Sequence, residues 1–209
     1  MIITIDGLSA TGKSSVALRL ANTLHYLYFN TGLVYRFITY IIVKNHLSDP
    51  KEIIKKLNSL DFKLESDKIF LNHKDITSFL YKEEIALYTS KYSSIPEIKD
   101  WVRDLQKKYL QMGNIIMEGR DIGTKVAPHA DIKFYLYTDV VQRARRLFNR
   151  GGAKTMDAAL FELQMIDANN IHSKDFIEPK DAIKIDTTHM SLDEVYEYML
   201  KIIKKCLTS

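Results

Sequence analysis

Residues 7–14 read Gly7-Leu8-Ser9-Ala10-Thr11-Gly12-Lys13-Ser14, the spacing G-x-x-x-x-G-K-[ST]. Four residues between the glycines let the backbone curl round a phosphate with its N–H groups pointing inward. Gly7 and Gly12 permit backbone angles and a close approach that a Cβ would obstruct. Lys13 reaches the β- and γ-phosphates, and the Ser14 hydroxyl is placed to ligate Mg²⁺. Average residue frequencies produce this pattern by chance in about one chain in a hundred of this length, so its surroundings decide. Ile2, Ile3 and Ile5 before it form a β-rich run. An amphipathic helix from about Lys13 to His25 follows, with Val16, Leu18, Leu20 and Leu24 apolar. A strand, a glycine loop and a helix N-terminus in that order make an anion site, and a nucleoside triphosphate is the expected ligand.

Outward from the loop, strands and helices alternate. Leu27–Asn30 reads as a second strand, and Val34–Val43 and Ile53–Leu60 as helices. Phe62, Leu64, Ile69 and Leu71 alternate with polar residues around Ser66-Asp67, a hairpin signal. The pattern predicts helices over Asp75–Tyr92 and Glu97–Met112, with Pro96 in the first turn of the second. Ile115–Met117 and Ile132–Tyr137 are apolar without alternation, as buried parallel strands are. Val140–Asn149 and Met156–Ala168 are helical in pattern, and Ala182–Ile185 is a last strand. Ser191 with Glu194 predicts a capping box for a C-terminal helix whose last turn holds Lys204 and Lys205. The alternation predicts an α/β fold on a parallel sheet, with the hairpin as an insertion.

Composition narrows the classes. The chain has 209 residues, 46% hydrophobic and 27% charged, which suits one globular domain, or one domain carrying an insertion. Thirty basic and 26 acidic residues leave a net charge of +4, too mild for a nucleic-acid binder but compatible with an anionic substrate. The single cysteine, Cys206, excludes an intrachain disulfide and a cysteine-based zinc site. No basic start precedes an apolar stretch, and no run approaches the roughly 18–20 apolar residues of a membrane span. A cytoplasmic monomer is expected, without a nucleic-acid or membrane partner.

A phosphate loop alone serves GTPases, ATPases and kinases of many acceptors. The GTPase base-reading motif N-K-x-D is absent. Arg36 and Arg120 each follow a predicted strand, where ligands of parallel sheets bind, and a guanidinium suits phosphate bidentately. Arg143, Arg145, Arg146, Arg150 and Lys154 run without an acidic residue from 140 to 156 and read as a lid over the triphosphate. A phosphate acceptor is already dianionic at neutral pH and needs no general base. A hydroxyl acceptor would want a carboxylate, for which Asp121 is the candidate.

Several motifs in order carry a family resemblance. They are IDGLSATGKSS at 5–15, NTGLVYR at 30–36, LNHKDIT at 71–77, SKYSSIPEIK at 90–99, MEGRDIGTKVAPHADIKFYL at 117–136 and DAIKIDTTHMSLDEV at 181–195. Over residues 1–150 and 181–209 the chain resembles the bacterial cytidylate kinases, which transfer phosphate from ATP to CMP or dCMP. The resemblance implies a P-loop NTPase-type three-layer sandwich. It would have a five-stranded parallel sheet, an inserted monophosphate-binding subdomain with a small antiparallel sheet, and a lid. Segments 1–35, 115–145 and 180–209 would form the core of a single kinase domain, 36–112 the monophosphate-binding region and 146–178 the lid. ATP would be held by Gly7, Leu8, Ser9, Ala10, Thr11, Gly12, Lys13, Ser14 and Ser15 with Arg146 and Arg150, and Mg²⁺ by Ser14. The acceptor would meet Thr31, Tyr35, Arg36, Ser90, Lys99, Arg120 and Asp121, with Lys13, Arg36 and Arg120 catalytic.

Three departures stand out. Lys99 stands where the family has arginine, and Asn30 where it has Asp or Ser. In 163–178 the family's Arg-Asp-x-x-Asp-x-x-Arg stretch falls on Ile166, Asp167, Asn170 and Ser173, and no arginine lies between 151 and 209. The departures leave open a diverged kinase with another acceptor, or a non-catalytic ATP-binding regulator.

Overall fold

The computed structural model describes residues 1–172 and 177–208, with side chains for all of these except 169–172. Asn170 and Ser173 therefore lie outside the described side chains. In chain order the elements are β1 (Ile2–Gly7), α1 (Lys13–Leu24), β2 (Leu27–Asn30), α2 (Thr31–Lys44), α3 (Pro50–Asn58), β3 (Phe62–Glu65), β4 (Lys68–Leu71) and β5 (Lys74–Asp75). There follow α4 (Thr77–Leu80), α5 (Glu83–Ser93), α6 (Pro96–Leu110), β6 (Ile115–Gly119), β7 (Ile132–Tyr137), α7 (Val140–Asn149), α8 (Met156–His172), β8 (Ile183–Asp186) and α9 (Leu192–Leu207). A π-helical turn, Ile122–Val126, lies between β6 and β7. Five strands form a parallel sheet in the order β2-β6-β1-β7-β8, and β3-β4-β5 form a small antiparallel one. This is the expected phosphate-loop α/β class. Among the described residues no helix is long and apolar enough to cross a membrane.

The chain divides into two compact units, residues 1–26 with 116–209, and residues 27–115. In the first, β1 is central, and its residues from Ile3 to Gly7 are all buried. Ile3 and Ile5 fill one face. Thr4 and Asp6, on the other, are equally inaccessible to solvent. Gly7 pairs with Leu136 of β7, and an added Cβ would overlap the Leu136 carbonyl oxygen. Gly12 caps α1 in the left-handed region at φ 98°. The predicted capping box is present: Ser191 Oγ accepts from Glu194 N, and the Glu194 carboxylate accepts from Ser191 N. Ala144 and Leu147 of α7 pack on Ala159 and Leu163 of α8.

In the second unit α2 is the core helix, with Leu33, Val34, Phe37, Ile38, Ile41 and Ile42 buried. Phe62 at the start of β3 stacks between Phe37 and Trp101, at centroid distances of 4.8 and 5.9 Å. The expected hairpin is present, with Phe62 opposite Leu71 and Leu64 opposite Ile69. The single helix expected over Asp75–Tyr92 is broken in two. The Asp75 carboxylate accepts from Thr77 N and opens a one-turn α4, after which Lys82 is extended (φ −63°, ψ 146°) and α5 begins. The break frees the Leu80 carbonyl from its helical partner, and Arg36 Nη1 donates to it at 3.2 Å. No Gly or Pro lies in 75–92, so the tertiary partner, not a breaker residue, marks the break.

Candidate functional site

The loop between β1 and α1 is built for an anion. Helix α1 has no side-chain cap and no acidic residue in its first turn, which suits a helix N-terminus that receives an anion. Lys13 Nζ donates to Leu8 O across the loop at 2.7 Å. Burial pulls the Lys13 ammonium down to about 8, with Glu118 opposing and Arg120 reinforcing that shift. Ser14 Oγ donates to Glu118 Oε2 at 3.0 Å, and Glu118 is buried at the carboxyl end of β6. Arg120, next beyond β6, reaches the loop and donates from Nη2 to Ser9 Oγ at 3.1 Å. Asp121 lies 3.4 Å from Lys125 Nζ.

The basic run of α7 does not present one face. Arg143 is buried. Its Nε donates to Thr138 O at 3.2 Å, its Nη1 to Ser9 O at 3.3 Å, and its fork grips Asp167 at 3.2 and 2.5 Å. Arg146 Nη1 donates to Thr11 O at 3.1 Å and Nη2 to Thr187 O at 2.5 Å, while Thr187 Oγ1 also donates to Thr11 O. Both guanidiniums thus brace the loop's own carbonyls. Arg145 and Arg150 are exposed. The members of the run thus differ in setting: residues 143 and 146 share the helix face of Ala144 and Leu147, which packs inward.

In the second unit the expected acceptor residues are distributed over three helices. The Asn30 side chain caps α2 by accepting from Leu33 N at 2.9 Å, which accounts physically for an Asn at this position. Thr31 Oγ1 accepts from the buried Gln106 Nε2 at 3.0 Å. Tyr35 and Arg36 lie one turn further, with the Arg36 guanidinium carbon 5.3 Å from the centre of the Tyr81 ring. Ser90 is exposed on α5, and Lys99 is half-buried on α6.

Glu118 and Asp6 belong to the first unit's cluster and were not assigned as site residues from the sequence, whereas Arg143 was expected only as part of the basic run. Asp6 accepts from Ile122 N and Gly123 N at 2.9 and 2.7 Å. Glu118 lies in the stretch 117–136 that carries the resemblance, but its partner Ser14 is 104 residues away.

Known proteins bear on this geometry. In solved structures the chain is similar to shikimate kinase from Bacteroides thetaiotaomicron (TM-score 0.52, 10% identity, 98% of each chain) and to TT1252 from Thermus thermophilus (TM-score 0.55, 16% identity, 100% of this chain and 98% of that one). Both likenesses concern the fold alone. In sequence it is 34% identical to the cytidylate kinase of Carboxydothermus hydrogenoformans over 97% of both chains. It is 36% identical to that of Ligilactobacillus salivarius over 97% of this chain and 96% of the other. The cytidylate kinase profile matches residues 3–205, a span that takes in the phosphate loop, the Arg120 bridge and every acceptor candidate, and the chain belongs to the cytidylate kinase family.

Proposed function

We propose that the protein transfers the γ-phosphate of ATP to CMP or dCMP, giving ADP and CDP or dCDP. The observation that carries this reading is the phosphate loop with Arg120 hydrogen-bonded to Ser9 at its rim, in a chain of this family. Lys13 and the loop amides bind the donor's β- and γ-phosphates. Arg36 and Arg120 bind the acceptor phosphate, and Thr31, Tyr35, Ser90, Lys99 and Asp121 bind the rest of the acceptor. The acceptor oxygen attacks the γ-phosphorus, the bond to the β-phosphate oxygen breaks, and ADP leaves. A dianionic phosphate acceptor needs no proton removed, so the residues orient the two substrates and neutralise charge. Ser14 Oγ and the Glu118 carboxylate are hard oxygen donors 3.0 Å apart and suit Mg²⁺. They would hold the ion, which when bound would supply positive charge against the phosphates. Segment 146–178 serves as the lid, and the enzyme works on a free nucleotide, as a monomer, in the cytoplasm.

The test is ADP release from ATP–Mg²⁺ with CMP, dCMP, UMP, AMP and GMP. Turnover on CMP or dCMP well above the others is expected. Silence on both, by folded protein that binds ATP, overturns the proposal. A second reading, a different nucleotide acceptor, is favoured by the absence of arginine from 151 to 209 and by Lys99. It predicts that another monophosphate outcompetes CMP.

A further inference from the structure

Asp6 is the residue before Gly7, on the central strand, and it is inaccessible to solvent. A buried carboxylate is costly unless its oxygens are filled. Here both are filled by backbone: Ile122 N donates to Oδ1 and Gly123 N to Oδ2. These amides open the π turn 122–126. Between the end of β6 at Gly119 and the gripped Ile122 stand two residues, Arg120 and Asp121. The bridge is thus pinned on one side by the sheet and on the other by Asp6, while Arg120 reaches across to Ser9.

The seat is closed from the other direction as well. A Cβ on Gly123 would stand 2.9 Å from Pro179 Cγ, 3.0 Å from Thr4 Oγ1 and 3.2 Å from Asp6 Oδ2. Burial outweighs the two hydrogen bonds and lifts the Asp6 carboxyl to about 6, with Asp121 adding to the rise and Lys13 opposing it. Tyr135 of β7 is its strand neighbour. An apolar side chain would fill the space at less cost, so what the carboxylate supplies is geometry.

We propose that Asp6 is the positioning residue for Arg120: its carboxylate grips the two amides that follow Arg120-Asp121 and sets the guanidinium against the phosphate loop. The proposal rests on Arg120 acting on the acceptor phosphate. Asp6→Asn keeps the size but turns an amide N–H₂ toward one of the two donors. Misplacing a binding group by about 1 Å costs up to about a hundredfold.

The experiment measures KM for CMP, KM for ATP and kcat in Asp6→Asn, Arg120→Ala, the double variant and Gly123→Ala, with amide exchange at Ile122 and Gly123. Asp6→Asn is expected to raise the KM for CMP about ten- to hundredfold, with the KM for ATP within about threefold and faster exchange at both amides. The double variant is expected to be no worse for CMP than Arg120→Ala alone, because coupled residues are non-additive. Gly123→Ala moves the amides without touching the charge and should reproduce the CMP effect, which covers the case of an unfolded Asp6 variant. Effects of Asp6→Asn and Arg120→Ala that multiply, or an Asp6→Asn effect equal on both substrates, overturn the proposal while leaving the function standing. An Arg120→Ala enzyme with wild-type CMP kinetics, or a wild-type protein inactive on CMP, overturns the reading of Arg120 and the proposal with it.

Discussion

Lys13 Nζ sits 2.7 Å from the Leu8 carbonyl oxygen, and burial lowers its pKa to about 8. A cation held in a crowded site without a full counter-charge is prepared for an anionic ligand, because a triphosphate restores the charge balance that burial removes. Lys13→Ala should therefore cut the phosphoryl-transfer rate by at least about a hundredfold with the melting temperature little changed. Single-turnover ADP formation checks this, and a rate within tenfold of wild type would remove Lys13 from the chemistry. Lys13, Ser14 and the two glycines were legible because their chemistry lies in one stretch of eight residues. Asp6 and Glu118 were not, because each meets its partner only after the sheet forms, 116 and 104 residues away. Arg146 carried a signal of another kind: its helix periodicity points it inward, and it rests on Thr11 O.

Helices α7 and α8 show how an element pair is fixed by a small number of contacts. Ala144, Leu147, Ala159 and Leu163 form a modest apolar seam, and the Arg143–Asp167 fork fastens it beside the phosphate loop. Both side chains are largely buried, 4% and 17% exposed. Removing one partner strands the other charge. Asp167→Ala should cost about 3 kcal/mol or more, read from urea unfolding. Arg143→Lys should recover little of the pair, since an ammonium cannot form the two-point contact. A cost below about 1 kcal/mol would show the fork to be solvated. Elements of this kind were mostly legible: α7 has the expected bounds, Val140–Asn149, and the β3–β4 hairpin lies where the alternation about Ser66-Asp67 put it. The α4–α5 break was not, because no Gly or Pro marks it and the partner that the Leu80 carbonyl finds there, Arg36, lies 44 residues back along the chain.

For the whole molecule, alternation of strands and helices gave a parallel sheet, but the strand order was beyond it, since β1 lies between β6 and β7, which come over a hundred residues later. That order places Asp6 in the middle of the sheet, where its ionisation becomes a property of global stability. Its carboxyl is raised from 3.8 to about 6 by burial. Between those values the unfolded chain has released the proton and the folded chain still holds it. The folded state binds more protons there, so stability from this group is fully present below about pH 4 and falls as pH rises through about 6. The loss amounts to about 3 kcal/mol. Other carboxylates act in the opposite direction, among them Asp75, Asp181 and Asp186, each lowered by hydrogen bonds to its neighbours, so the total curve does not isolate Asp6. The difference between wild type and Asp6→Asn does. Measured by urea unfolding from pH 4 to pH 7.5, the stability advantage of wild type over the variant should shrink as pH rises. A difference that stays level, or grows, would mean that the two amides of the π turn hold the carboxylate ionised throughout, and that the enzyme carries no cost at neutral pH for keeping this charge under Arg120.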